Sequence, residues 1–240
     1  MNNNFKNKIC ELLQEINIEI TEEKIKKFYN YMNLLLEWNE KINLTAITEE
    51  DDIILKHFVD SLTVYKYIGE NKEVIDIGTG AGFPGIPLAI LNNKNEFTLL
   101  DSLNKRINFL SDIKEKLSLE NITNIHARAE EFGQNKKYRE KFDIAVSRAV
   151  ANLSTLAEYL LPMVKIGGKA ICMKGSNIED ELKDAEFAIY EFGGKVILRD
   201  EFYLPKSDIT RNILVIEKIK NTPLKYPRKA GTPAKEPLIQ

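Results

Sequence analysis

Between Val74 and Gly85 the chain reads VIDIGTGAGFPG, in which Gly80, Gly82 and Gly85 fall on a GxGxxG spacing. Glycines so placed at a strand-to-helix turn let the backbone come close to a bound ligand. The spacing alone fits equally well a tight turn that needs left-handed φ values. Asp76 stands where the apolar run VIDI meets the loop. A carboxylate there attracts an ammonium, directly or through water, and repels a pyrophosphate. Asp101 ends the next apolar run, FTLLD, where a carboxylate can accept hydrogen bonds from both hydroxyls of a ribose. Glu130 follows the third run, in IHARAEEF, where an adenine edge would lie. Each acid alone could be a helix-start charge. Together, at successive strand ends, they favour S-adenosylmethionine, a nucleoside that carries an amino-acid ammonium.

These positions require a scaffold. After Asn71, short β-branched or aliphatic runs (VIDI, FTLLD, ITNIHA, FDIAVS, GGKAICMK) alternate with amphipathic stretches at 85–91, 105–117, 152–161 and 178–190. The alternation predicts an α/β domain over 72–218, with a mostly parallel sheet covered by helices. GGKVILRDEFYLP and TRNILVIEKIK have no helix between them and read as an antiparallel pair at the sheet edge. Residues 1–71 repeat apolar side chains at helical spacing, from Phe5, Ile9 and Leu12 to Phe28, Met32 and Leu35, and read as a helical leader packed on the core. Thr21 and Thr48, each followed by acids, mark helix starts. Tyr31 and Trp38 read as core, while Asn43 could face the site. Residues 219–240 are basic and proline-containing, and predict a flexible tail.

Composition excludes several classes. With 240 residues and 43% hydrophobic side chains the chain can bury a full core. The net charge of −2 announces no global nucleic-acid field, so any basic surface must be local. Cys10 and Cys172 are too few for a disulfide framework, and with two histidines a metal centre is not expected. No run approaches the roughly 20 apolar residues of a membrane span. The chain reads as a cytoplasmic monomer without a membrane partner.

The combination of motifs is specific. WNEKINLT at Trp38–Thr45, HFVDS at His57–Ser61, DIGTGAGFPGIPLAI at Asp76–Ile90, LLDSLNKRINFL at Leu99–Leu110, ARAEEF at Ala127–Phe132, SRA at Ser147–Ala149 and KG at Lys174–Gly175 resemble the glucose-inhibited division protein B family. Those are bacterial small-subunit (16S) ribosomal RNA guanine-N7 methyltransferases, and the resemblance covers nearly the whole chain. It implies a Rossmann-like class I methyltransferase sheet with an N-terminal helical extension. It further implies that Gly78 and Phe83 line the cofactor, that Asp101, Ser102 and Leu103 bind its ribose side, that Ala129 and Glu130 bind its adenine, and that Arg148 closes the site. YPRKAGTPAKEPL resembles the tail of some members, with no site role implied.

Methyl transfer from a sulfonium is an in-line displacement in which orientation supplies much of the rate. Guanine N7 carries no proton at neutral pH, so a general base is unnecessary. The segment SRAVAN lacks the Asp- or Asn-Pro-Pro-aromatic motif of amino-group methyltransferases, and Cys172, inside an apolar run, reads as an inert thiol rather than the nucleophile of a carbon-5 enzyme. Arg148 and Lys174, at the ends of the fourth and fifth runs, project toward the ligand edge and could grip RNA phosphates or the O6 edge of a guanine. Lys105, Arg106 and Arg128 are further RNA candidates, although Lys105 and Arg106 also fit a solvated helix face. His57, Asp60 and Ser61 superficially resemble a triad, but neighbours on one helix cannot converge, so helix packing or leader-to-core hydrogen bonding is expected. The partner would be ribosomal RNA or the assembled small subunit. An NAD-dependent oxidoreductase, a non-enzymatic RNA-binding or assembly module, and a methyltransferase on another substrate remain open alternatives.

Overall fold

The computed structural model describes residues 1–148 and 151–239. Ala149 and Val150 of the SRAVAN segment lie outside the described residues.

Seven strands form one sheet: β1 Glu73–Ile77, β2 Glu96–Asp101, β3 Ile122–His126, β4 Phe142–Arg148, β5 Val164–Lys174, β6 Gly194–Tyr203 and β7 Thr210–Lys218. Their order is β3-β2-β1-β4-β5-β7-β6, with β1 to β5 parallel and β7 antiparallel to both of its neighbours. The final hairpin lies at the sheet edge as expected, with β7 inside and β6 outermost. Burial explains which strand goes in: Asn212 to Ile216 of β7 are all buried, whereas β6 carries exposed Lys195, Arg199 and Glu201 that suit an unpaired edge. The order reverses between β1 and β4, so the crevice at the carboxyl ends of β1, β2 and β4 is the natural ligand position.

The connecting helices Gly85–Leu91, Asn104–Lys116, Leu153–Leu160 and Glu179–Glu191 fall within a residue of the periodic stretches at each end. Asn152 caps its helix by accepting from the Thr155 amide at 2.9 Å. A further helix, Ala129–Gln134, carries AEEF; at six residues it is too short to leave a periodic signature.

The leader forms helices Asn3–Glu15 and Glu22–Asn39, then a broken segment whose centre, Ile53–Val59, is π-helical. Thr21 caps the second helix through the Lys24 amide, whereas the turn after Thr48 begins at Glu50 without a side-chain cap. Phe5, Phe28, Tyr31 and Phe58 join Phe83, Leu99 and Phe109 in one apolar cluster, so the leader is a layer of the core. Leu156, Leu160, Phe192, Leu214 and Ile216 fill a second cluster.

The tail packs on the core, where its composition predicts a flexible segment. Tyr226 and Pro233 are buried, Thr232–Lys235 is helical, and Arg139 donates to the carbonyls of Gly133, Thr222, Pro223 and Tyr226. Two of its cations meet acids from distant segments: Lys225 meets Glu191 at 3.2 Å and Arg228 meets Glu158 at 2.6 Å. Local composition could not reveal those partners.

Candidate active site

A cavity of about 570 Å³ opens where β1, β2, β3 and β4 end, within the usual range of roughly 300–1,000 Å³ for small-molecule sites. Gly78, Gly80 and Phe83 of the glycine loop, Asp101, Ser102, Ala129, Glu130 and Arg148 all lie on its wall. Gly78 and Gly80 adopt φ values of 69° and 63°, which a side chain would strain. Gly85 serves differently: a Cβ there would stand 2.2 Å from Leu99 Cδ2, so its absence lets the helix seat on the sheet.

Asp101 is buried and well tied. Its Oδ2 accepts from the Gly80 amide at 2.9 Å and from Arg106 Nη1 at 3.2 Å, and its Oδ1 from the Leu103 amide at 2.9 Å. One carboxylate thereby joins the glycine loop to the turn after β2. Leu103 itself is 41% exposed and off the cavity wall.

Asp76 lies beneath the glycine loop rather than on the cavity wall. It is wholly buried and off the wall, and its Oδ2 accepts from Thr79 Oγ1 at 2.7 Å and the Gly85 amide at 2.8 Å. Asp76 is therefore the internal brace of the loop. Burial pushes its carboxyl up to about 6, against the hydrogen bonds that favour the anion.

At the β3 end, Glu130 Oε1 accepts from the Gly231 amide at 2.7 Å, and Tyr159, Gly231 and Ala234 complete the wall. Sequence reasoning missed these three, the last two because the tail was read as mobile. At the other end, Arg148 Nη1 donates to the Lys56 carbonyl at 3.1 Å and Asp60 Oδ2 at 3.2 Å, and Nη2 approaches His57 Nδ1 at 3.3 Å. Its guanidinium also lies 5.0 Å from the centre of the Phe83 ring, on which His57 stacks at 4.4 Å. His57 and Asp60 are thus leader-to-core contacts. Burial and Arg148 push the His57 pKa down to about 3, and Ser61 Oγ donates to the His57 carbonyl, so there is no triad. Burial raises the Cys172 thiol to about 12, which leaves it inert near neutral pH.

Two basic residues differ from expectation. Arg106 faces the cavity as the partner of Asp101 rather than standing free on the helix face. Lys174 is held by Glu181 at 2.6 Å and the Ala151 carbonyl at 2.8 Å, and lines an adjacent cavity beyond Arg148 rather than the main one. Lys105 is exposed and off the wall, whereas Arg128 is exposed at the rim. Asn43 is exposed and off the wall; its neighbours Leu44 and Thr45 line it. Among the described residues no group of His, Cys, Asp and Glu is arranged to hold a metal ion, and no helix is long and apolar enough to cross a membrane.

Solved structures share this architecture at low identity. Trm5b of Pyrococcus abyssi matches with a TM-score of 0.53 and 15% identity over 75% of this chain and 52% of that chain. A putative methyltransferase of Bacillus halodurans matches with a TM-score of 0.52 and 13% identity over 67% and 99%. These likenesses bear on the fold alone. Sequence relatives reach much further: the ribosomal RNA small subunit methyltransferase G of Alkaliphilus oremlandii is 54% identical over 98% of this chain and 99% of its own length. Its counterparts in Alkaliphilus metalliredigens, at 52% over 94% and 95%, and Clostridium botulinum, at 50% over 98% and 99%, are similar. Residues 4–200 also match the family described as rRNA small subunit methyltransferase G. A full-length match of this kind, on a chain whose glycine loop, strand-end acids and leader converge on one cavity, places the chain in the rRNA small subunit methyltransferase G family.

Proposed function

We propose that the protein transfers a methyl group from S-adenosylmethionine to N7 of a guanine in small-subunit (16S) ribosomal RNA. The observation that carries the reading is Asp101, held between the Gly80 amide and Arg106 on the wall of a cavity at the switch point of the sheet. When bound there, S-adenosylmethionine supplies an activated methyl on a sulfonium.

The residues divide the remaining work. Asp101, with Ser102 and Leu103 beside it, accepts the ribose hydroxyls, and Ala129 and Glu130 face the adenine. Gly78, Gly80 and Phe83 bound the amino-acid half, and Arg148 closes that end and steadies the acceptor. Lys174, Lys105 and the rim residue Arg128 meet RNA phosphates. The acceptor nitrogen has no proton to lose, so positioning and exclusion of water are what the protein must provide. Naked RNA and the assembled subunit are both candidate substrates.

The test gives purified protein radiolabelled S-adenosylmethionine with small subunits, naked ribosomal RNA and total protein in parallel, and maps label by chemical cleavage at N7-methylguanine. Label at a guanine N7 of the small-subunit RNA is expected. Label in protein alone overturns the assignment.

A further inference from the structure

Thr45 is a donor without an acceptor on the wall of the cavity. Its Oγ1 accepts from the Ile47 amide at 3.0 Å and lies 2.8 Å from His57 Nε2. The direction of the second bond follows from the other side of the imidazole. A guanidinium can only donate, so His57 Nδ1, 3.3 Å from Arg148 Nη2, is the acceptor in that pair. Burial keeps the ring neutral, so its single proton sits on Nε2 and points at Thr45. Both lone pairs of the threonine oxygen are then filled, and only its own O–H remains to be given. Among the described residues no protein group takes that proton.

The arrangement is rigid. Stacking on Phe83 at an interplanar angle of 14° holds the ring, and Asn39 holds the loop. Its Oδ1 accepts from the amides of Leu44 at 2.8 Å and Thr45 at 3.0 Å, and its Nδ2 donates to the Thr45 carbonyl at 3.0 Å. From Arg148 through His57 to Thr45 every bond donates in the same sense, toward the cavity, and such chains polarise their last donor. A carboxylate would be matched by the Arg148 charge. The neutral donor across the imidazole from it suits a neutral carbonyl.

Guanine presents one beside N7, its O6, where adenine presents an amino donor. We propose that Thr45 selects the acceptor base, its hydroxyl donating to O6 of the guanine whose N7 receives the methyl group. An adenine would set two donors against each other, and a buried unpaired donor is costly. The inference rests on the guanine-N7 reading above.

The test is a cycle between protein and substrate. Once the methylated nucleotide is mapped, small-subunit RNA carrying guanosine or 2-aminopurine riboside at that position is offered to wild type, Thr45→Val and Thr45→Ser. 2-Aminopurine keeps N7 and lacks O6. Thr45→Val is expected to lower kcat/KM on guanine about tenfold, the 2-aminopurine substrate to lower wild type by a similar factor, and the two together to cost no more than either alone. Thr45→Ser restores activity on guanine, and S-adenosylmethionine binds Thr45→Val within about twofold of wild type by calorimetry. Additive losses overturn the proposal. So does a serine variant that fails to recover, which would make the effect one of loop packing, or a matching loss of cofactor affinity, which would assign the hydroxyl to the cofactor. Wild type that labels no guanine N7 overturns the underlying reading first, and is seen before any variant is made.

Discussion

The Gly231 amide donates to Glu130 Oε1 at 2.7 Å, tying the tail of the chain to the carboxylate at the β3 end of the cavity. The strap is anchored nearby by Arg228, whose Nε and Nη2 grip a fully buried Glu158. Removing a partner from a buried carboxylate costs about 3–5 kcal/mol in comparable pairs. Arg228→Ala should therefore loosen residues 226–238, speed their amide exchange, and weaken S-adenosylmethionine binding by about tenfold. Arg228→Lys should recover only part, because an ammonium cannot reproduce the fork. Unchanged exchange in the alanine variant would remove the strap from the account of binding.

Tyr31 links leader and loop. Its buried hydroxyl donates to the Ala81 carbonyl at 2.5 Å, and its ring packs 5.4 Å from Phe83. Tyr31→Phe leaves that carbonyl without its donor, at a cost of about 1–3 kcal/mol. Calorimetry should show Tm falling by roughly 2–4 °C for each kcal/mol lost. A Tm equal to wild type would mean that the loop does not depend on the leader for this bond.

His57 makes stability depend on pH. Its folded pKa of about 3 lies below the ordinary 6.5, so below pH 6.5 the unfolded chain takes up a proton that the folded chain refuses. Stability is full above pH 6.5 and is lost as pH falls toward 3. By pH 5 the loss from this residue is about 2 kcal/mol. Asp76, raised by burial, changes in the opposite sense below about 6, so the comparison must be differential. Urea unfolding at pH 7 and 5 should show wild type losing more than His57→Asn. Equal losses would contradict a neutral ring.

Arg148→Ala should reduce methyl transfer at least about a hundredfold while the chain stays folded, because Asp60 keeps Arg211 at 3.1 Å. Arg148→Lys should stay well below wild type, since one ammonium cannot serve Lys56, Asp60 and His57 at once. Near-normal turnover in the alanine variant, with unfolding unchanged, would remove Arg148 from the site.

Much of this was legible in the residues because strands and helices repeat with fixed periods. VIDI, FTLLD, ITNIHA and FDIAVS declare their strands, and Asp101, Glu130 and Arg148 stand where the last three of those runs end or just beyond. Asp76 also stands at a strand end, but behind the cavity wall rather than on it. Its carboxylate takes Thr79 Oγ1 and the Gly85 amide, contacts that only the folded loop supplies. The residues alone leave Arg106 between an RNA contact and a solvated helix face, and only the turn after β2 brings it to Asp101.

The sequence by itself determined the alternating α/β order, the helical leader, the glycine loop and the acids at the strand ends, since each is a property of neighbouring residues. Tertiary structure alone decided that the tail becomes a wall of the site, that Thr45 and Arg148 face each other across His57, and that Lys174 pairs with Glu181. Those contacts join residues far apart in the chain, and their partners are chosen by burial and charge matching in space, which no local pattern encodes.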